Sequence, residues 1–117
     1  MLKDYCKSYR DLEKSLQELE LVMPETMKSF KNLQKETIEN GALNLKTKEL
    51  IALGIAISLK CNGCITLHIN EALKAGNSFS EVLETIGVAV YMGGESAVVY
   101  GCEALEALNQ FIVLENE

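Results

Sequence analysis

Glu49-Leu50-Ile51-Ala52-Leu53-Gly54-Ile55-Ala56-Ile57-Ser58-Leu59 is the stretch on which the fold turns. After a single early acid it is almost wholly apolar, and Ile51–Ile57 alone could be read as a buried strand. Its Leu and Ala content, and a length beyond ten residues, favour a helix instead. That helix begins near Thr47. Because Leu50–Leu59 is apolar nearly all the way round, it is expected to be buried on most sides.

Just past this run lies Cys61-Asn62-Gly63-Cys64-Ile65-Thr66-Leu67-His68. Two thiols stand three residues apart, and the only histidine of the chain follows the second by four. Positions three and four apart lie on one side of a helix, so Cys61, Cys64 and His68 would share a face. Cys64–Ala75 reads as a fourth helix closed by Gly76.

Working outward, Leu2–Val22 is an amphipathic helix with Leu2, Tyr5, Tyr9, Leu12, Leu16 and Leu19 at helical spacing. Pro24 and Glu25 suit the first turn of a second helix. That helix runs through Met27, Phe30, Leu33 and Ile38 toward an αL ending at Asn40-Gly41, with its Lys- and Glu-rich face in solvent. Ala42–Leu45 connects it to the third. Ser78-Phe79-Ser80-Glu81 has the form of a capping box for a fifth helix carrying Val82, Leu83, Ile86, Val90 and Tyr91. Gly93-Gly94 breaks that helix, and its simplest reading is close packing, since no strand precedes it and no Lys or Arg follows. A sixth helix over Glu95–Leu114 carries Val98, Val99, Cys102, Leu105 and Leu108. With no repeat and no long linker, residues 1–117 are expected to form one all-α domain, a bundle of about six helices.

A chain of 117 residues can build a core without disulfide staples. Its apolar content of 48% is more than a small helical subunit easily hides, which favours an oligomer. The formal charge of −6, with no basic cluster to offset it, argues against nucleic acid or an anionic membrane as partner. No apolar run reaches the length of a membrane span, and the charge-free Leu50–Leu59 is about half of one. Met1-Leu2-Lys3-Asp4-Tyr5 has charges where a signal peptide would need its apolar core. The expected location is therefore the cytoplasm, where a Cys-x-x-Cys pair is more often catalytic or metal-binding than structural.

The thiolate, not the thiol, is the nucleophile, and a free thiol titrating near pH ~8.5 needs help to ionise. If Cys61 and Cys64 open the fourth helix, its unpaired N–H groups supply positive potential. His68, one turn beyond Cys64, supplies a base, and Glu49 could orient the imidazole or pass its proton through a water. The spacing also lets the sulfurs close a disulfide across one turn, so one can be oxidised to a sulfenic acid and the other resolve it. The competing reading is zinc, held by Cys61, Cys64 and His68, but a closed site needs a fourth ligand and no second pair of matching spacing exists. Glu49 could equally be a first-turn acid that favours the helix dipole. Cys6 and Cys102 sit on apolar helical faces and are expected to pack as small hydrophobes.

At these residues the chain resembles the carboxymuconolactone decarboxylase family, in its alkylhydroperoxidase D-like branch. The resemblance covers residues 43–108. It is carried by Lys48-Glu49-Leu50-Ile51-Ala52-Leu53, by Cys61–His68, by Glu71-Ala72-Leu73-Lys74-Ala75-Gly76 and by Tyr91-Met92-Gly93-Gly94. It implies an all-helical subunit that assembles as a homo-trimer or homo-hexamer. It implies that peroxide oxidises Cys64, that Cys61 resolves the sulfenic acid as a disulfide, and that Glu49 and His68 relay the proton. Hydroperoxide or disulfide substrates are implied, with a dithiol reductant such as a lipoyl protein or a small redoxin, and no haem, flavin or metal cofactor. The best-described peroxidases of the branch are longer and carry a histidine where this chain has Gly63. Lactone decarboxylases of the wider family act without the cysteine pair. A decarboxylase-type lyase on a small carboxylated ring compound, or a metal-binding module, stands as the alternative.

Overall fold

Four helices start where a side chain accepts from one of their unpaired N–H groups. A computed structural model describes residues 3–115, and among them six helices and no strand are found: α1 (Tyr5–Val22), α2 (Pro24–Ile38), α3 (Leu45–Ser58), α4 (Asn62–Lys74), α5 (Phe79–Gly93) and α6 (Glu95–Glu115). Asp4 accepts from the Lys7 amide at 2.9 Å and opens α1, Asn44 accepts from Thr47 at 2.8 Å and opens α3, and Pro24 occupies the first turn of α2. The capping box of α5 forms in both directions: the Glu81 amide donates to the Ser78 hydroxyl, and the Ser78 amide donates to the Glu81 carboxylate. That backbone bond from Ser78, with Lys46 alongside, holds the Glu81 carboxyl below the usual carboxylate range. The all-α single-domain bundle expected from periodicity is the fold observed.

The core is built from one stripe of each helix except α2. Leu53 and Ile57 of α3 meet Ile65 and Ile69 of α4, Val82 and Ile86 of α5, Leu108 and Phe111 of α6, and Tyr5 and Tyr9 of α1. Tyr9 and Phe111 meet edge to face, with ring centroids 5.8 Å apart. The inward stripe of α6 is made of small residues, Ala97, Gly101 and Ala104, before it widens to Leu108 and Phe111. A Cβ on Gly101 would lie 3.1 Å from Val90 and 3.3 Å from Ile86, which is how closely α5 and α6 approach.

Several expectations are corrected here. Leu2 lies outside the described residues. Gly41 has no positive φ, and the cap of α2 is the extended Glu39. Lys48 does the work given to an αL ending: its Nζ donates to the carbonyls of Thr37 and Glu39 at 2.9 and 2.8 Å. α3 is not buried on most sides within the subunit, because Ile51, Ile55 and Leu59 form an exposed stripe, with Ile55 54% and Leu59 71% accessible. Cys6 packs against the core as expected, whereas Cys102 is exposed. Val98, Val99, Leu105 and Tyr91 are likewise exposed. Glu95–Leu114 of α6 is long and apolar enough to cross a membrane, with mean hydropathy 1.3, although no such run was expected. A third of that window (33%) is buried inside the subunit.

Candidate active site

The site grows from one sharp corner. α3 ends at Leu59, Lys60 takes the left-handed region at φ 59°, and the amides of Lys60 and Cys61 bond back to Ile57 and Ala56 at 3.1 and 3.3 Å. A lysine there fills the role that glycine usually fills at a helix end. Cys61 then returns to extended backbone and becomes the N-cap of α4. The two helices form a tight hairpin, closed at its other end by buried Asn77, whose Nδ2 donates to the carbonyls of Lys46 and Ala72, both at 3.0 Å.

At the corner, Cys61 and Cys64 are joined by a disulfide with their Cα atoms 5.2 Å apart, within the ordinary range for such a bridge. The Cys64 amide donates to Cys61 Sγ at 3.2 Å, so this sulfur serves one of the unpaired N–H groups that begin α4. Both sulfurs belong to half-buried residues. Leu12 of α1 lies over the corner, 3.9 Å from where a Cβ on Gly63 would stand.

Glu49 comes from the second turn of α3 and is buried, 7% accessible. Its Oε1 lies 3.3 Å from Nδ1 of half-buried His68 on α4. The interhelical pairing explains why a carboxylate is tolerated there: burying one without a partner is costly. The first-turn reading of Glu49 therefore falls short, because its side chain is engaged across the hairpin. The four residues singled out from sequence are thus brought together as two pairs. α4 links them, since Cys64 and His68 stand one turn apart on the same side.

Beside the Glu49–His68 pair opens a cavity of about 670 Å³, walled by α1, α2, α3 and α4. Glu71, Leu67, Lys31 and Lys35 line it as well, and none of these was given a role in the site from sequence. Glu71 was findable, since it follows His68 by three residues on α4. The lysines of α2 were not, because only folding brings that helix to the cavity, across from α4. Among the described residues, Cys61 and Cys64 are absent from this lining, and no three His, Cys, Asp or Glu side chains converge as a metal cage would require.

Comparison with known proteins follows the same outline. Residues 24–107 match the sequence profile of the carboxymuconolactone decarboxylase family. An uncharacterised protein of Haemophilus influenzae is 35% identical, the match covering 92% of this chain and 95% of that one. The crystal structure of a carboxymuconolactone decarboxylase family protein from Legionella pneumophila superposes with a TM-score of 0.87 at 40% identity, covering 92% of this chain and 96% of its own. A Thermotoga maritima structure of the same family, for which involvement in an antioxidative response has been raised, gives a TM-score of 0.72 at 30% identity and covers 78% and 94%.

Proposed function

The chain belongs to the carboxymuconolactone decarboxylase family, and from that premise we propose that it is a thiol oxidoreductase that reduces hydroperoxides through Cys64 and Cys61. The observation that carries this reading is the disulfide at the start of α4, one turn from a histidine paired with a buried carboxylate. In the reduced protein, the Cys64 thiolate attacks the terminal oxygen of the hydroperoxide. The O–O bond breaks, Cys64 becomes a sulfenic acid, and the alcohol leaves with a proton from His68. Cys61 then attacks that sulfur, an S–S bond forms and water departs. A dithiol reductant, such as a lipoyl protein or a small redoxin, takes the oxidation by exchange and regenerates both thiols. The antioxidative response raised for the Thermotoga relative points in the same direction.

The assembly belongs to the proposal too. Ile51, Ile55 and Leu59 of α3 and Val88 and Met92 of α5 line an uncharged groove of about 490 Å³ that is exposed in the single subunit. Contiguous exposed apolar surface of this kind marks interaction sites. A homo-trimer or homo-hexamer would cover it.

Peroxide consumption driven by dihydrolipoamide tests the reading. Wild type should turn over and Cys64→Ser should not, and equal rates would sink the role given to Cys64. A second reading has one observation in its favour: the cavity beside Glu49 and His68 is lined by neither cysteine. A lyase acting on a small carboxylated ring compound would keep its full activity when both cysteines are serine.

A further inference from the structure

The proposed thiol cycle moves protons as well as electrons, and the cavity beside His68 is placed to carry them. Its floor is buried Glu49 with the half-buried His68 paired to it. Its α2 side is made of Lys31, Gln34, Lys35 and Thr37, all exposed, so the space runs from solvent to the acid–base pair. Glu49 and Glu71 face Lys31 and Lys35 across it, and Lys31 is already paired with Glu20 of α1. A lining so balanced selects no ion of either sign, and its polar groups suit water. Neither cysteine lines it, so it serves the Glu49–His68 pair and not the sulfurs. Glu71 follows His68 by three residues, on the same side of α4. It is half-buried, yet its carboxylate has no hydrogen-bond or ion-pair partner among the described residues. Lys74, three residues further on, donates instead to the Tyr9 hydroxyl at 3.4 Å.

Returning the Cys61–Cys64 disulfide to two thiols takes up two electrons and two protons. The electrons come from the dithiol reductant, which attacks as thiolate after giving its protons to water. Protons must therefore come back from water to the sulfurs that leave. We propose that Glu71 is the inlet: its carboxyl gives a proton, through water in the cavity, to the Glu49–His68 pair and takes another from solvent at the α2 side. Each proton that His68 hands to a leaving sulfur is thus replaced, and Glu71 ends the cycle as it began. This rests on the peroxidase reading above and adds the route by which its acid–base pair is recharged.

His68 is the sole histidine, so its ring N–H can be followed by NMR with no peroxide or reductant present. In Glu71→Gln, exchange of that proton with water should slow about tenfold, less than the ~10²-fold expected of a group acting on the reacting atoms themselves. Added free imidazole, a small proton carrier, should restore it. Glu36→Gln, which removes the same charge from α2 outside the cavity, should leave exchange unchanged. Stopped-flow reduction of the oxidised protein by dihydrolipoamide should follow the same order: slow in Glu71→Gln, restored by imidazole, normal in Glu36→Gln. Unslowed exchange or unslowed reduction in Glu71→Gln would overturn the proposal, as would equal slowing in Glu36→Gln or a loss that imidazole does not restore. The peroxidase reading stands or falls separately, on peroxide turnover, and its failure would leave the exchange result at His68 intact.

Discussion

Nδ1 of His68 and Oε1 of Glu49 face each other at 3.3 Å across the α3–α4 hairpin, nineteen positions apart in the chain. The carboxylate engages Nδ1, which leaves Nε2 for the proton transfer proposed above. Glu49→Gln keeps the shape and removes the charge. Peroxide-dependent oxidation of dihydrolipoamide should fall by about 10²-fold, the scale of a disabled acid–base partner, with the helical circular dichroism unchanged. An unaffected rate would remove Glu49 from the relay.

On the proposed cycle Cys61 is the resolving thiol, and removing it should strand the intermediate. In Cys61→Ser, peroxide treatment should leave a sulfenic acid on Cys64 that dimedone traps and mass spectrometry locates, whereas Cys64→Ser should give no adduct at the motif. An adduct on Cys61 in the second variant would reverse the two assignments.

The exposed stripe on α3 makes the oligomer testable. Ile55→Glu places a charge in the middle of the apolar groove, where an assembled partner would bury it unpaired. Light scattering should show wild type as a trimer or hexamer and the variant as a monomer. A monomeric wild type would leave this groove without its partner.

Tyr5 is buried, 2% accessible, with its hydroxyl donating to Glu103 at 3.2 Å. Burial, and then the Glu103 carboxylate, push the phenol well above its ordinary value of 10.0. A pKa raised in the fold means the associated stability is fully present below pH 10.0 and is lost as pH rises beyond it. Urea midpoints should therefore decline above pH ~10, and the decline should be shallower in Tyr5→Phe, at a cost near 1 kcal/mol at neutral pH for the lost hydrogen bond. Parallel pH profiles would show that Tyr5 does not govern the alkaline limit.

Gly93 closes α5 where α6 begins. A Cβ there would stand 2.6 Å from Cβ of buried Ala97, an atom fixed to the backbone of α6. Gly93→Ala should thus force the two helices apart and destabilise the fold by about 1–3 kcal/mol in denaturant unfolding. A neutral effect would show that the corner has slack.

The helices were legible wherever local chemistry governs them. The Ser78–Glu81 box and the Gly93-Gly94 break declare themselves within four residues, and the α3 run reads as helix from its length. What escaped depends on neighbours. Asn40-Gly41 looked like an αL ending because Gly prefers that role, yet Lys48 reaches over from α3 and serves the last carbonyls of α2 first. Val98 and Val99 looked like core because large apolar residues usually are. α6 turns its small residues inward so that α5 can approach, and its valines face out. For the site, spacing gave the Cys61–Cys64 closure and the one-turn step to His68. The meeting of Glu49 with His68 was an expectation drawn from chemistry and family resemblance, and the lysines of α2 were invisible until folding set them across the cavity from α4.

Cys61 begins a helix with the same sulfur that is oxidised, and that sets how its substitutions should be judged. Serine is among the best residues at a helix start, and a thiol is a poor acceptor. Cys61→Ser therefore removes the redox function proposed for this thiol while improving the hold on the Cys64 amide, and its defects report chemistry alone. Cys61→Ala removes both, loosening the first turn of the helix that carries Cys64 and His68. Any extra loss in alanine over serine measures how firmly α4 must be anchored for its thiol and its base to stay in register.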